Sequence, residues 1–179
     1  QLAHFPQSKA FGCKSADGSW QYLSTAEIAE LANRLSLGHL NAGLKPGDKV
    51  ATVVYRTTPA WVILDFALSQ IGVLNVPMYP TISVREYVYI LNEAEVRCCF
   101  VGDGDLYDKV AQAREKSPAV NEVFTFDPHT SARHWETLLA SPDSDFSAVE
   151  QIRTTIRPDD LATLIYTSGT TGDPKGVML

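Results

Sequence analysis

Hydrophobic and polar positions along this chain alternate between two periods. From Ser24 the run STAEIAELANRLSLGHLNAG places Ile28, Leu31 and Leu35 on one helical face, behind a capping box of Ser24 and Glu27, and Gly43 offers a left-handed stop. Lys45-Pro46-Gly47-Asp48 then reads as a turn into VATVVY, Val50 to Tyr55, a β-branched run of strand length. The pattern repeats. It predicts a helix from about Pro59 to Gln70 and a strand from Val73 to Met78. Next comes a helix from Ser83 with a second capping box at Glu86 and a stripe of Val84, Tyr87, Val88 and Leu91, followed by a strand from Val96 to Val101. Beyond these come a helical segment from Leu106 to about Lys116, a strand from Val123 to Phe126 and a short helix around Trp135 to Leu139. Strands alternating with helices predict an α/β fold, a largely parallel sheet flanked by helices.

Two stretches interrupt the pattern. The run AWVILDFALSQIGVLNVPMY, Ala60 to Tyr79, is long enough for a membrane span but contains Asp65, Gln70, Asn75 and Pro77, and a charge in hydrocarbon is costly. It reads as a buried helix followed by a buried strand. Ser141 to Asp160 holds two prolines and five acidic residues without sustained periodicity, so it reads as a surface connector. It leads to LATLIY, Leu161 to Tyr166, an apolar run of strand length.

Composition narrows the class without naming it. The 179 residues fall within the roughly 100–200 of one domain and suffice for a buried core. With 45% hydrophobic and 20% charged residues the chain is neither disordered nor a membrane bundle. A net charge of −6 with scattered basic side chains argues against a nucleic-acid partner. Cys98 and Cys99 are neighbours in a strand, so they should face opposite ways and cannot easily share a metal; buried thiols in a reducing cytoplasm account for the cysteines. His4, His39, His129 and His134 have no zinc spacing and read as surface or capping residues. The chain starts at Gln1 inside what reads as continuing sequence, which predicts a piece of something longer.

Two glycine-rich turns could carry chemistry. VGDGDLY, Val101 to Tyr107, follows a strand and precedes a helix, but Tyr107 stands where a dinucleotide fingerprint needs its third glycine. Gly102 and Gly104 therefore read as turn formers. YTSGTTGDPKGVML, Tyr166 to Leu179, is different, because several requirements for gripping polyphosphate coincide there. Gly169, Gly172 and Gly176 admit backbone N–H groups close to oxygens, Thr167, Ser168, Thr170 and Thr171 add hydroxyl donors, and Lys175 behind Pro174 brings a mobile charge. A linker shares the small residues but has no need of a Pro-Lys-Gly exit between apolar runs. Nor does the loop fit GxxxxGK[ST], since the sixth position from Gly169 is Pro174 and Gly176 follows Lys175.

TSGTTGDPKG, Thr167 to Gly176, resembles the signature loop of the adenylate-forming, or AMP-binding, superfamily, which includes acyl-CoA synthetases, peptide-synthetase adenylation domains and luciferases. STAEIAELANRLSLGHLNAGLKPGDKVA and NVPMYPTISVREYVYILNEAEVRCCFVGD are similar to the segments preceding that loop, the latter in the manner of long-chain fatty acid CoA ligases. The resemblance covers nearly the whole chain but only the N-terminal portion of such an enzyme. It therefore implies one partial domain, residues 1–179, cut just after the loop.

The resemblance implies an acid–thiol ligase reaction. A carboxylate attacks the α-phosphorus of ATP, pyrophosphate leaves, and the thiol of coenzyme A displaces AMP to form a thioester. The partners implied are ATP, a fatty acid and CoA, with Mg2+ as cofactor and its ligands beyond this chain. Thr167, Ser168, Gly169, Thr170, Thr171, Gly172 and Lys175 would wrap the β- and γ-phosphates, an electrostatic role. No catalytic residue or metal ligand is expected in the chain, so the piece alone should be inactive. The expected location of the parent is cytoplasmic, with peripheral membrane contact and oligomeric state left open. An amino-acid adenylation domain and a non-enzymatic nucleotide-binding module are the alternatives.

Overall fold

The computed structural model describes residues 3–15, 17–129, 131–167 and 172–179. In chain order its elements are β1 (Phe11–Lys14), β2 (Trp20–Leu23), α1 (Thr25–Asn41), β3 (Lys49–Val53), α2 (Pro59–Ser69), β4 (Leu74–Met78), α3 (Val84–Glu93) and β5 (Val96–Val101). They continue with α4 (Gly104–Arg114), β6 (Glu122–Thr125), β7 (Arg133–His134), a 3-10 turn (Trp135–Leu138), α5 (Ser147–Arg153), β8 (Leu164–Thr167) and β9 (Lys175–Met178). Both predicted capping boxes form. In the first, Glu27 N–H donates to Ser24 Oγ at 3.2 Å and Ser24 N–H donates to Glu27 Oε2 at 2.7 Å; Ser83 and Glu86 repeat the exchange. Those donated bonds hold the Glu27 and Glu86 carboxyls below the ordinary range.

Among the described residues a five-stranded parallel sheet runs in the order β4-β3-β5-β6-β7. The alternation of side chains along each strand feeds two cores. Val50, Cys98, Phe100 and Phe124 face α1, α2, the 3-10 turn and α5, whereas Ala51, Val53, Cys99 and Val101 face α3 and α4. Cys98 and Cys99 thus lie on opposite faces as expected, and burial pushes the Cys98 thiol up to about 12 and the Cys99 thiol well above its usual value. In the first core Phe100 stacks on Phe124 at 4.9 Å between centroids. Helix α1 approaches the 3-10 turn so closely that a Cβ on Gly38 would lie 1.7 Å from the Leu138 carbonyl oxygen. Only glycine fits there.

Three parts of the sequence reading change. Within the presumed connector, Ser147–Arg153 is helical and inserts Val149, fully buried, into the first core; seven residues are too few to show a period. Before Ser24 the chain forms the antiparallel hairpin β1–β2, whose turn carries Gly18 at φ +85° and Asp17 accepting from Ser19 N–H at 2.9 Å. The Asp-Gly pair between two alternating runs was its signal. His39 is not a surface residue. It packs edge-on to Phe100 at 5.6 Å, its Nε2 has no hydrogen-bond partner among the described residues, and burial lowers its pKa to about 4.

Candidate functional site

The apolar run before the glycine-rich loop does become a strand. β8 pairs antiparallel with β9 in the register Leu164 to Met178, Ile165 to Val177, Tyr166 to Gly176 and Thr167 to Lys175. Leu164–Thr167 and Lys175–Met178 thus form a hairpin, with Gly176 inside its second strand. Thr167 and Lys175 face each other at its mouth, both exposed. Gly172 adopts φ +136° in open space, a conformation that a Cβ would strain. Ser168, Gly169, Thr170 and Thr171 lie outside the described residues.

The hairpin's inner arm is fastened by Tyr166. Its ring is buried in the second core and lies across β9, where a Cβ on Gly176 would sit 3.1 Å from it. A tight ring contact thus gives Gly176 a packing reason to stay small, one invisible in the string TSGTTGDPKG.

Beside Thr167 and Pro174 is a cavity of about 190 Å³, with Met78, Ile82, Glu86 and Tyr166 also in its wall. On the α2 side of the hairpin a second cavity of about 270 Å³ is bounded by Thr52, Trp61, Pro77, Tyr79 and Ile165. Both open at the carboxyl ends of β3 or β4, the end at which parallel sheets present ligand-binding loops. The turn after β4 is held from the other side. Tyr87 O–H donates to the Tyr79 carbonyl at 2.9 Å, and Lys109 Nζ donates to the Pro80 carbonyl at 3.1 Å while standing 5.5 Å over the Tyr87 ring. Burial raises the Tyr87 hydroxyl far above its usual range, so it remains a donor at all working pH.

The competing glycine turn has a steric explanation. Asp103 caps α4 by accepting from Leu106 N–H at 3.1 Å, and a Cβ on Gly104 would come within 2.9 Å of the His129 ring. Gly104 opens α4 instead of lying in the turn, and Gly102, in the bend before it, has ordinary room for a Cβ.

The family model for AMP-binding enzymes matches residues 1–179. The chain belongs to that family. Among AMP-binding relatives, the long-chain-fatty-acid–CoA ligase FadD15 of Mycobacterium bovis is 34% identical over 166 residues, which are 91% of this chain and 27% of that protein. The crystal structure of the long-chain-fatty-acid-CoA ligase FadD1 from Archaeoglobus fulgidus superposes with a TM-score of 0.70 at 28% identity, over 86% of this chain and 29% of that one. The anthranilate CoA ligase AuaEII in complex with anthranoyl-AMP superposes with a TM-score of 0.75 at 19% identity, covering 99% and 33%, and so shares the fold. The chain spans about a quarter of the length of the curated AMP-binding relatives it matches. In this family setting the sheet and hairpin are recognisable N-terminal architecture.

Proposed function

We propose that residues 1–179 are the N-terminal part of the AMP-binding domain of a long-chain fatty acid CoA ligase, and that the loop from Thr167 to Lys175 receives the β- and γ-phosphates of ATP. The observation that carries this reading is the hairpin itself, which sets Thr167 opposite Lys175, both exposed, at the two ends of the glycine-rich stretch. The names of the fatty acid ligase relatives supply the substrate class.

In that reaction a fatty carboxylate oxygen forms a bond to the α-phosphorus as the bond to the pyrophosphate oxygen breaks, and CoA sulfur later displaces AMP. The chain's own contribution is electrostatic. Hydroxyls of Thr167, Ser168, Thr170 and Thr171 and the N–H groups of Gly169 and Gly172 would donate to the phosphate oxygens, and the Lys175 ammonium would offset charge gathering on the leaving pyrophosphate. Among the described residues no group of three or more His, Cys, Asp or Glu gathers in metal-binding proximity, and no residue here is assigned to Mg2+. No described helix is long and apolar enough to cross a membrane. The free cysteines fit the reducing cytoplasm proposed for the parent enzyme.

Calorimetric titration of the chain with ATP tests the loop. Binding should weaken by about tenfold in Lys175→Ala, the lower range for a charge-assisted hydrogen bond; unchanged affinity would remove Lys175 from the site. Acid-dependent pyrophosphate exchange should be missing from residues 1–179 alone and present in the whole protein with fatty acids in preference to amino acids. ATP-dependent stabilisation of the whole protein with no acid dependence would instead indicate a binding module.

A further inference from the structure

The polar residues that interrupt the apolar run Ala60 to Tyr79 meet in space. Thr52 Oγ1 donates to Asn75 Oδ1 at 2.9 Å, and Asn75 Nδ2 donates to Asp65 Oδ1 at 2.9 Å. Both ends of the amide are used, which fixes its orientation and joins β3, β4 and α2 through one side chain. The backbone of Asn75 is engaged as well. Its N–H donates to the Ala162 carbonyl at 3.3 Å, and its carbonyl accepts from Thr163 Oγ1 at 2.7 Å. Asn75 and Thr163 form an isolated parallel bridge where the chain entering β8 meets the edge strand β4.

The hairpin has two kinds of attachment to the sheet, and they do different things. Tyr166 and Leu164 pack into the second core, and apolar burial is strong but non-directional. It draws β8 inward without fixing its position along β4. Hydrogen bonds are directional within a few tenths of an ångström, and those at Asn75 select one register. A slip of one residue would turn Tyr166 outward, so the register also decides where Thr167 and the loop emerge. Asn75 and Thr52 are almost wholly buried, in surroundings where apolar side chains of similar size would pack without any desolvation cost.

We propose that the backbone N–H and carbonyl of Asn75, engaged by Ala162 and by the Thr163 hydroxyl, are a latch that sets the register of β8 against β4 and so the position of Thr167 at the hairpin's mouth. Its consequence for ligand binding rests on the phosphate-binding reading above. Thr163→Val keeps the β-branched shape and removes only the hydroxyl that reaches Asn75. Amide hydrogen exchange in β8 should then accelerate by about fivefold, the ratio matching roughly 1 kcal/mol for one hydrogen bond, while exchange in β5 stays at the wild-type rate. Affinity for inorganic tripolyphosphate should fall by a similar factor, and Thr163→Ser should restore both. The latch is overturned if Thr163→Val leaves β8 exchange unchanged, or if β5 and β8 accelerate together as in general destabilisation. Should the wild-type chain fail to bind tripolyphosphate, the phosphate reading falls while the β8-to-β5 exchange comparison still decides the latch.

Discussion

Strand β5 and the hairpin β8–β9 show two ways of holding a strand in place. β5 is central, paired on both sides, and five of its six residues are buried between two helical layers. All four residues of β9 are exposed, and β8 reaches the sheet through one backbone bridge and the side chains of Leu164 and Tyr166. The first region derives stability from burial, roughly 1.5–3 kcal/mol for each large apolar side chain. The second is placed by few, directional contacts. The molecule therefore separates the stability of its scaffold from the placement of its loop, and substitutions should affect one without the other.

The largest expected effect lies in the scaffold. Phe100→Ala removes a fully buried ring that touches Phe124, Phe126 and His39, and should cost about 4 kcal/mol in urea unfolding. Tripolyphosphate affinity, corrected for the folded fraction, should be unchanged; a matching loss of affinity would end the separation. Next is the pH dependence set by His39. The unfolded imidazole takes up a proton near its ordinary value of 6.5, whereas the folded one resists until about 4. The unfolded state thus binds more protons between those values, so stability is full above pH 6.5 and falls as pH is lowered through the window, by roughly 3 kcal/mol at its lower end. His39→Leu should flatten that slope in urea melts at pH 7 and 4.5; an unaltered slope would mean that other groups carry it. Ser83→Ala, which removes the α3 cap beside the loop cavity, should cost about 1 kcal/mol. Lys175→Ala, exposed at the hairpin mouth, should change thermal stability by under about 0.5 kcal/mol while weakening ATP binding, the reverse of Phe100→Ala.

The parts that could be read from sequence are those determined by neighbours in the chain. Ser24 with Glu27 and Ser83 with Glu86 announce their helices within four residues, and the β-branched runs at Val50 and Val96 announce their strands. What escaped depends on partners distant in sequence. Helix α5 is defined by Val149 entering a core built mostly from residues before it, and His39 is buried because Phe100 lies against it. Asn75 and Asp65 looked like mere objections to a membrane span, since the partners that satisfy them, Thr52 for Asn75 and Asn75 for Asp65, lie 23 and 10 positions away. The Tyr166 ring lying against Gly176 was likewise not legible, because it depends on the pairing of β8 with β9.

The cysteines turn this architecture into its own reporter. Cys98 can be reached only when the layer of α1 and α2 lifts, and Cys99 only when that of α3 and α4 does, while Cys13 on the outer hairpin remains half accessible. Thiol labelling rates would therefore act as three clocks, one for the surface and one for each side of the sheet. Adjacent residues differing only in the face they occupy would time which half of the molecule opens first.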